Sequence, residues 1–385
     1  MLTMAVGHSD DVDAADAIAA AIAECRAGLG DARPQAGLLV SSFEAFDPSI
    51  LGTVKAAFPT ATIAGATSAA EVSHLGGYQE DSITLALFAS DEVGITVGLG
   101  VGLASDPERA CRDAVEAVLA DVTREPRLCI VLANSAATDP AVMLGTIRSL
   151  LPDGVTVIGG GSARSGLGLI TPTYQFAGDR LTEDGIVLLL FSGPLRHSVA
   201  IGMGWKPIGT RGVVTASDHN LLREIDGRPA LEFVNRYLDS IGPASFGNPL
   251  AIYEPGSDEP YLRVALRGDA EAGTIALIGS VPIGSAIQLT TASADDLLEG
   301  TTDALRRAAE TYPTDGRPEA ALVFSCMVRK YLLGSKTGRE TELTKAALPD
   351  LPFAGMYCTG EISPIGDGRG PRFLNETFVA LLLGT

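Results

Sequence analysis

The feature that most narrows the possible folds is an order of events that occurs three times. An apolar run ends in small polar residues at 37–42 (GLLVSS), 129–134 (CIVLAN) and 320–326 (AALVFSC). Each run leads on to an apolar-Pro pair: Phe58-Pro59, Leu151-Pro152 and Leu348-Pro349. A second run then ends in glycine and small polar residues, as IAGATSAAE at 63–71, VIGGGSARS at 157–165 and FAGMYCTGE at 353–361. A strongly apolar run closes each copy, at 83–88, 186–191 and 378–383. Apolar runs bounded by Gly and Pro predict strands. Helical stretches at 13–27, 106–122 and 294–310 precede the copies. The period is far longer than that of a solenoid, so the pattern predicts a triplicated βαβαββ-like unit inside a globular chain.

Fixed offsets strengthen the match, because mere alternation of helix and strand does not require them. Ser42 is followed by Asp47-Pro48, and Asn134 by Asp139-Pro140 at the same distance. Gly65, Gly159 and Gly355 each open a polar cluster. Glu71 and Glu361 stand equally far from their glycines, with Ser165 in that place in the middle copy. The expected fold class is mixed α/β (α+β), with mixed sheets flanked by helices, in a two-part chain. Residues 1–215 hold two copies. Residues 216–385 hold a strand-rich insert and the third copy, which begins at Ser285. The boundary near Thr215 rests on a change of pattern at 217–238, with an Asp226-Gly227 turn and a helix starting at Pro229.

Hydrophobic residues make up 46% and charged residues 19%, the balance of a packed globular protein. The net charge of −19, with no Lys/Arg cluster, argues against nucleic-acid partners, which require phosphate contacts. Five cysteines, with no CxxC or Cys/His spacing, predict neither a zinc site nor a disulfide framework, and fit a reducing compartment. No apolar stretch reaches the roughly 18 residues of a membrane span. The first residues, MLTMAVGHSDD, lack the regions of a signal peptide. A cytoplasmic location is expected.

The terminal motif FAGMYCTGEISPIG…FLNETFVALLL resembles the end of the FIST domain, a bacterial sensory domain of N- and C-terminal parts. So do FSCMVR at 324–329, NLLREIDGRPALEF at 220–233 and the stretch 65–71. The resemblance implies small-ligand sensing, with amino acids among the proposed ligands. Some members resemble a haem-binding nitric-oxide sensor that acts on a kinase. Many carry a fused output domain. Within these residues there is none, so the resemblance implies a separate signalling partner such as a kinase or cyclase.

In α/β sheets, ligands bind beyond the carboxyl ends of strands. That rule selects Ser325, Cys326 and Arg329 after one strand, and Tyr357, Cys358, Thr359 and Glu361 around the end of the next. Arg329 suits a ligand carboxylate and Glu361 an amine. The alternative is an internal Arg329–Glu361 ion pair. Cys326 and Cys358 are either a thiol pair for covalent chemistry or buried structural residues, and no histidine lies near them in sequence. Trp205 either lines a cleft or packs the junction between the halves. A haem would need an axial donor, and His74, after the first polar cluster, is the best placed of four histidines. No cofactor is otherwise implied. The glycine-rich stretch 157–168 lacks the Gly-Lys-Ser/Thr ending of a P-loop.

Overall fold

Each apolar run becomes a strand, and the three copies build three six-stranded mixed sheets. A computed structural model describes residues 1–166, 172–238, 245–366 and 370–385. The end of the glycine-rich stretch and the middle of the 364–371 turn lie outside those residues. The first unit comprises β1 (Leu2–Ser9), α1 (Ala14–Leu29), β2 (Ala36–Ser42), α2 (Ser49–Ala57), β3 (Thr62–Ser68), β4 (Ala70–Ser73), β5 (Gly77–Gln79) and β6 (Ile83–Ser90). The second comprises β7 (Gly94–Val101), α3 (Pro107–Leu119), β8 (Pro126–Ala133), α4 (Pro140–Leu150), β9 (Thr156–Gly161), β10 (Gln175–Ala177), β11 (Arg180–Thr182) and β12 (Gly185–Ser192).

The third unit opens earlier than expected, with β13 (Arg196–Gly202). This strand pairs with the last strand of the chain, as β1 pairs with β6 and β7 with β12. An insert then interrupts the unit: β14 (Lys206–Asp218), β15 (Leu221–Ile225), β16 (Arg228–Pro229), α5 (Ala230–Val234), β17 (Ser245–Tyr253), β18 (Tyr261–Asp269), β19 (Thr274–Leu277) and β20 (Ala286–Thr291). Thr215 therefore falls inside a strand. The unit resumes with α6 (Ala294–Glu310), β21 (Ala320–Cys326), α7 (Met327–Leu333), α8 (Gly338–Ala347), β22 (Phe353–Cys358), β23 (Glu361–Pro364), β24 (Pro371–Leu374) and β25 (Phe378–Gly384).

The Asp-Pro pairs explain two helix starts. Asp139 caps α4 by accepting from the Ala141 amide, and Asp47 accepts from the Ser49 amide at the start of α2. The central strands are buried on both faces, and successive side chains alternate between two cores, as a pleated sheet requires. Leu38, Ile130 and Leu322 occupy equivalent places in β2, β8 and β21, and all three face one shared core. Their neighbours Leu39, Val131 and Val323 face outward under the helices, in three separate clusters.

The units exchange hairpins in a ring. The β4–β5 hairpin of the first unit pairs with β22 of the third. The β10–β11 hairpin of the second pairs with β3 of the first. The β23–β24 hairpin of the third pairs with β9 of the second. Each sheet is thus completed by a different unit, which ties the three together.

The cluster-opening glycines sit where these ladders meet. Gly65, Gly159 and Gly355 stand opposite Leu39, Val131 and Val323. A Cβ on Gly355 would lie 2.1 Å from the Val323 carbonyl oxygen, and one on Gly65 2.2 Å from that of Leu39. Gly355→Ala is expected to destabilise the fold by about 1–3 kcal/mol through overpacking. The check is the midpoint of urea unfolding, with an exposed Gly52→Ala as control, since a Cβ there meets nothing within 4 Å.

The insert forms a seven-stranded antiparallel sheet with its own core, which includes Phe233 of α5. Leu374 of β24 joins that core, so the insert rests on the exchanged hairpin of the third unit. Among the described residues, no helix is long and apolar enough to cross a membrane.

Candidate functional site

β21 and β22 are parallel neighbours, and Cys326 stands opposite Cys358 in register. The tertiary fold therefore brings Ser325, Cys326, Tyr357, Cys358 and Glu361 together, as the strand order implied. All are buried, Arg329 with them. The alternative reading, an internal Arg329–Glu361 ion pair, has the wrong carboxylate. Arg329 instead bonds Glu340 of α8, with Nη2 2.6 Å and Nε 3.0 Å from its Oε1. Its remaining donors go to the Met203 and Leu297 carbonyls and to the Thr301 hydroxyl. Ser325 and Tyr357 both donate to Glu340 Oε2 at 2.8 Å. Burial pushes Glu340 up, but Arg329 and these hydrogen bonds outweigh it and hold its carboxyl below the usual range. Sequence reasoning misses Glu340 because GRETELTKAA reads as a solvated helix, with no apolar face to mark it as buried.

Glu361 belongs to a different, threefold arrangement. Its Oε2 accepts from the Thr377 amide at 3.0 Å and the Thr377 hydroxyl at 2.7 Å. Glu71 accepts from the Ser82 amide and hydroxyl in the same manner, and from the Ser68 hydroxyl. In the middle unit the place belongs to Gln175, not Ser165. Gln175 Oε1 accepts from the Gly185 amide at 3.0 Å, and its Nε2 donates to Ser162 at 2.8 Å. A longer connection between β9 and β10 displaces the equivalent residue along the chain, which is why counting from Gly159 fails. In each case the side chain ties the start of an exchanged hairpin to the residue beginning or just preceding the unit's last strand. Burial raises both Glu71 and Glu361 to about 7 despite their hydrogen bonds.

The two thiols sit against this network. Cys358 donates to Glu361 Oε1 and to the Ser325 carbonyl, each at 3.5 Å. Burial pushes both Cys326 and Cys358 well above the ordinary thiol range, away from the reactive thiolate. Trp205 is half-buried. It packs on Ala251, Tyr253 and Leu262 of the insert and donates Nε1 to the Glu376 carbonyl at 3.3 Å. His74 packs its ring on Phe353, with Nδ1 3.2 Å from the Phe353 carbonyl oxygen.

The open space lies elsewhere, along the seam where the insert meets α4 and the β23–β24 hairpin. A cavity of about 580 Å³ has an acidic wall of Glu254, Asp258 and Glu259. Glu254, Tyr261 and Arg372 also wall the next cavity, of about 430 Å³, which adds Arg148 and Arg263. A third, also about 430 Å³, shares Pro140, Gly279 and Phe373 with the second. Of the residues singled out from sequence, Thr359 lines this third cavity. The three cavities therefore lie side by side along the seam as one groove region, and the character of their walls changes from acidic to basic to apolar.

Arg263 is the unusual member. It is 5% exposed, and its guanidinium stacks on the Tyr261 ring at 4.3 Å. Nε donates to the Ser280 carbonyl, and Nη1 to those of Leu262 and Phe373. Among the described residues no carboxylate forms a salt bridge with it and no acceptor meets Nη2. Burial accordingly pulls its pKa down. Arg372, at the groove's centre, pairs with Glu254 at 2.7 Å and keeps partial exposure. Arginines with unspent donors in a concave wall suit a carboxylate or other planar anion. No sequence signal marks this site, because its residues come from four separated stretches.

The FIST N domain model matches residues 35–228, and the FIST C domain model matches residues 230–364. An uncharacterized protein of Mycobacterium tuberculosis is 25% identical over 386 residues, covering 94% of this chain and 95% of its own length. One of Mycobacterium bovis is 27% identical over 226 residues, 55% of this chain; that match spans 56% of the relative, about half its length. Among solved structures, cyanuric acid hydrolase from A. caulinodans aligns over 100% of this chain and 99% of its own, with TM-score 0.37 and 8% identity. A likeness at that level carries no argument about activity.

Proposed function

This chain belongs to the FIST family, and from that premise we propose that it is a small-ligand-binding sensory protein whose ligand lies in the seam groove. FIST domains are associated with sensory roles in signal transduction. The ligand is a small polar metabolite bearing a carboxylate, such as an amino acid. The output passes to a separate protein such as a kinase, and the compartment is the cytoplasm. The supporting observation is Arg263, a buried cation with no carboxylate in contact among the described residues, set in the wall of a groove that also carries Arg372 and Glu254. A ligand bridging the insert and α4 favours the arrangement in which both walls touch it, and that differential affinity is the signal.

Two other readings draw less support. A thiol-dependent enzyme needs an accessible thiolate, whereas Cys326 and Cys358 are buried with raised pKa values. Haem at His74 would have to be held by Nε2, since Nδ1 faces the Phe353 backbone, and His74 lines none of the three cavities described above.

The test is a thermal-shift and calorimetric screen with amino acids and simple carboxylates. A bound ligand raises the unfolding midpoint. Arg372→Gln is expected to keep the fold and weaken binding about tenfold or more, the worth of one charge-assisted hydrogen bond. A ligand that binds the variant and the parent equally removes the groove from consideration.

A further inference from the structure

The groove does not end at its arginines. Across the shared wall of Pro140, Gly279 and Phe373 lies the third cavity, whose walls are mainly apolar: Ala137, Leu266, Leu277, Ile278 and Phe373. Three of the polar groups at its rim have partners already. Ser135 donates to the Thr359 carbonyl at 2.9 Å, Asn220 donates to the Leu277 carbonyl at 3.1 Å, and Asp139 accepts from the Ala141 amide. His219 stands 3.4 Å from Asp139 across the mouth. An apolar cavity of about 430 Å³ next to a cationic one is a poor place for a wholly polar molecule. Water held there gains few hydrogen bonds, and apolar surface placed there is removed from solvent.

We infer that the ligand is amphiphilic: a carboxylate held by Arg263 and Arg372, carrying an apolar group of about phenyl or isobutyl size that fills the lobe lined by Leu277, Ile278 and Phe373. This rests on the ligand-binding reading above and sharpens it to a chemical class. The shared walls Pro140, Gly279 and Phe373 set the two ends of such a molecule side by side. Removing a methylene-sized group from a fitted apolar pocket weakens binding about tenfold or more, so the lobe acts as the specificity determinant and the arginines as the anchor.

Calorimetry on the full chain with four probes tests this: glycine, phenylalanine, 3-phenylpropionate and 3-phenylpropionamide. Phenylalanine and 3-phenylpropionate are expected to bind at least tenfold more tightly than glycine, and the neutral amide at least tenfold more weakly than 3-phenylpropionate. Ala137→Phe, at a half-buried wall position, fills the lobe. It is expected to abolish the advantage of the aromatic probes and to leave glycine within about twofold. Equal affinity for glycine and phenylalanine, with Arg372→Gln still weakening both, overturns the amphiphilic ligand and leaves the polar site standing. Absence of binding by all four at millimolar concentration overturns both readings. If Ala137→Phe fails to fold, Leu277→Ala serves instead, with a selective loss of aromatic affinity expected and an unchanged aromatic-to-glycine ratio counting against the proposal.

Discussion

Arg329→Ala is expected to lower the unfolding free energy by about 3–5 kcal/mol. The substitution leaves the Glu340 carboxylate buried without its counter-charge, and strips the Met203 and Leu297 carbonyls of a donor. Arg329 and Glu340 are 0% and 1% exposed, so water cannot take over. Glu340→Gln is expected to destabilise as well, since it leaves the Arg329 guanidinium buried without its counter-charge, although Thr301, Ser325 and Tyr357 can still bond the amide. Chemical denaturation of both variants checks this, alongside ligand affinity for whatever remains folded. Removal of a direct ligand contact would instead lower affinity with stability nearly intact. That outcome would restore Arg329 to a binding role.

The second large effect is on pH dependence. Glu71 is held at about 7 by burial, against an ordinary value of 4.5. Below pH 4.5 both folded and unfolded chains hold the proton, and its stabilising contribution is complete. Between those values the unfolded chain releases the proton while the native chain keeps it, so stability falls as pH rises. Above about pH 7 the loss is complete. At about 1.4 kcal/mol for each pH unit between the two values, the loss is roughly 3 kcal/mol. Glu71→Gln removes it, and is expected to raise stability at pH 8 by up to that amount while changing little at pH 4. The middle unit already carries Gln175 in the equivalent place. Its amide donates to Ser162, and the amide introduced by Glu71→Gln can meet Ser68 in the same way. His8 and His197, held near 4 by burial, act in the opposite sense as pH falls below 6.5. The readout is therefore the difference between variant and parent across pH 4 to 8. Equal destabilisation at both ends would sink the assignment.

The same substitution bears on how the units are joined. Glu71, Gln175 and Glu361 each stand near the start of a hairpin lent to a neighbouring sheet. Burial gives the two carboxyls among them a raised affinity for a proton, so the ring of exchanged hairpins is tightest where those carboxyls are neutral.

Sequence pattern alone carried the triplication, the strands, the cluster-opening glycines and the matching Asp-Pro offsets of the first two copies. These follow from local physics: continuous apolar runs, turn chemistry and capping act over a few residues and leave their mark on those residues. The nearness of Cys326 and Cys358 was legible for the same reason, since it needs only the pairing of two consecutive strands. What folding in three dimensions decided is everything that joins distant segments. A three- or four-residue strand such as β4 or β10 has the same composition whether it pairs at home or next door, so the hairpin exchange left no local trace. A buried arginine takes whichever carboxylate the packing delivers, and α8 delivered Glu340 rather than Glu361. The groove arose because an insert came to rest on a hairpin from the far end of the chain, and complementarity between surfaces that meet only after folding is written in no single stretch.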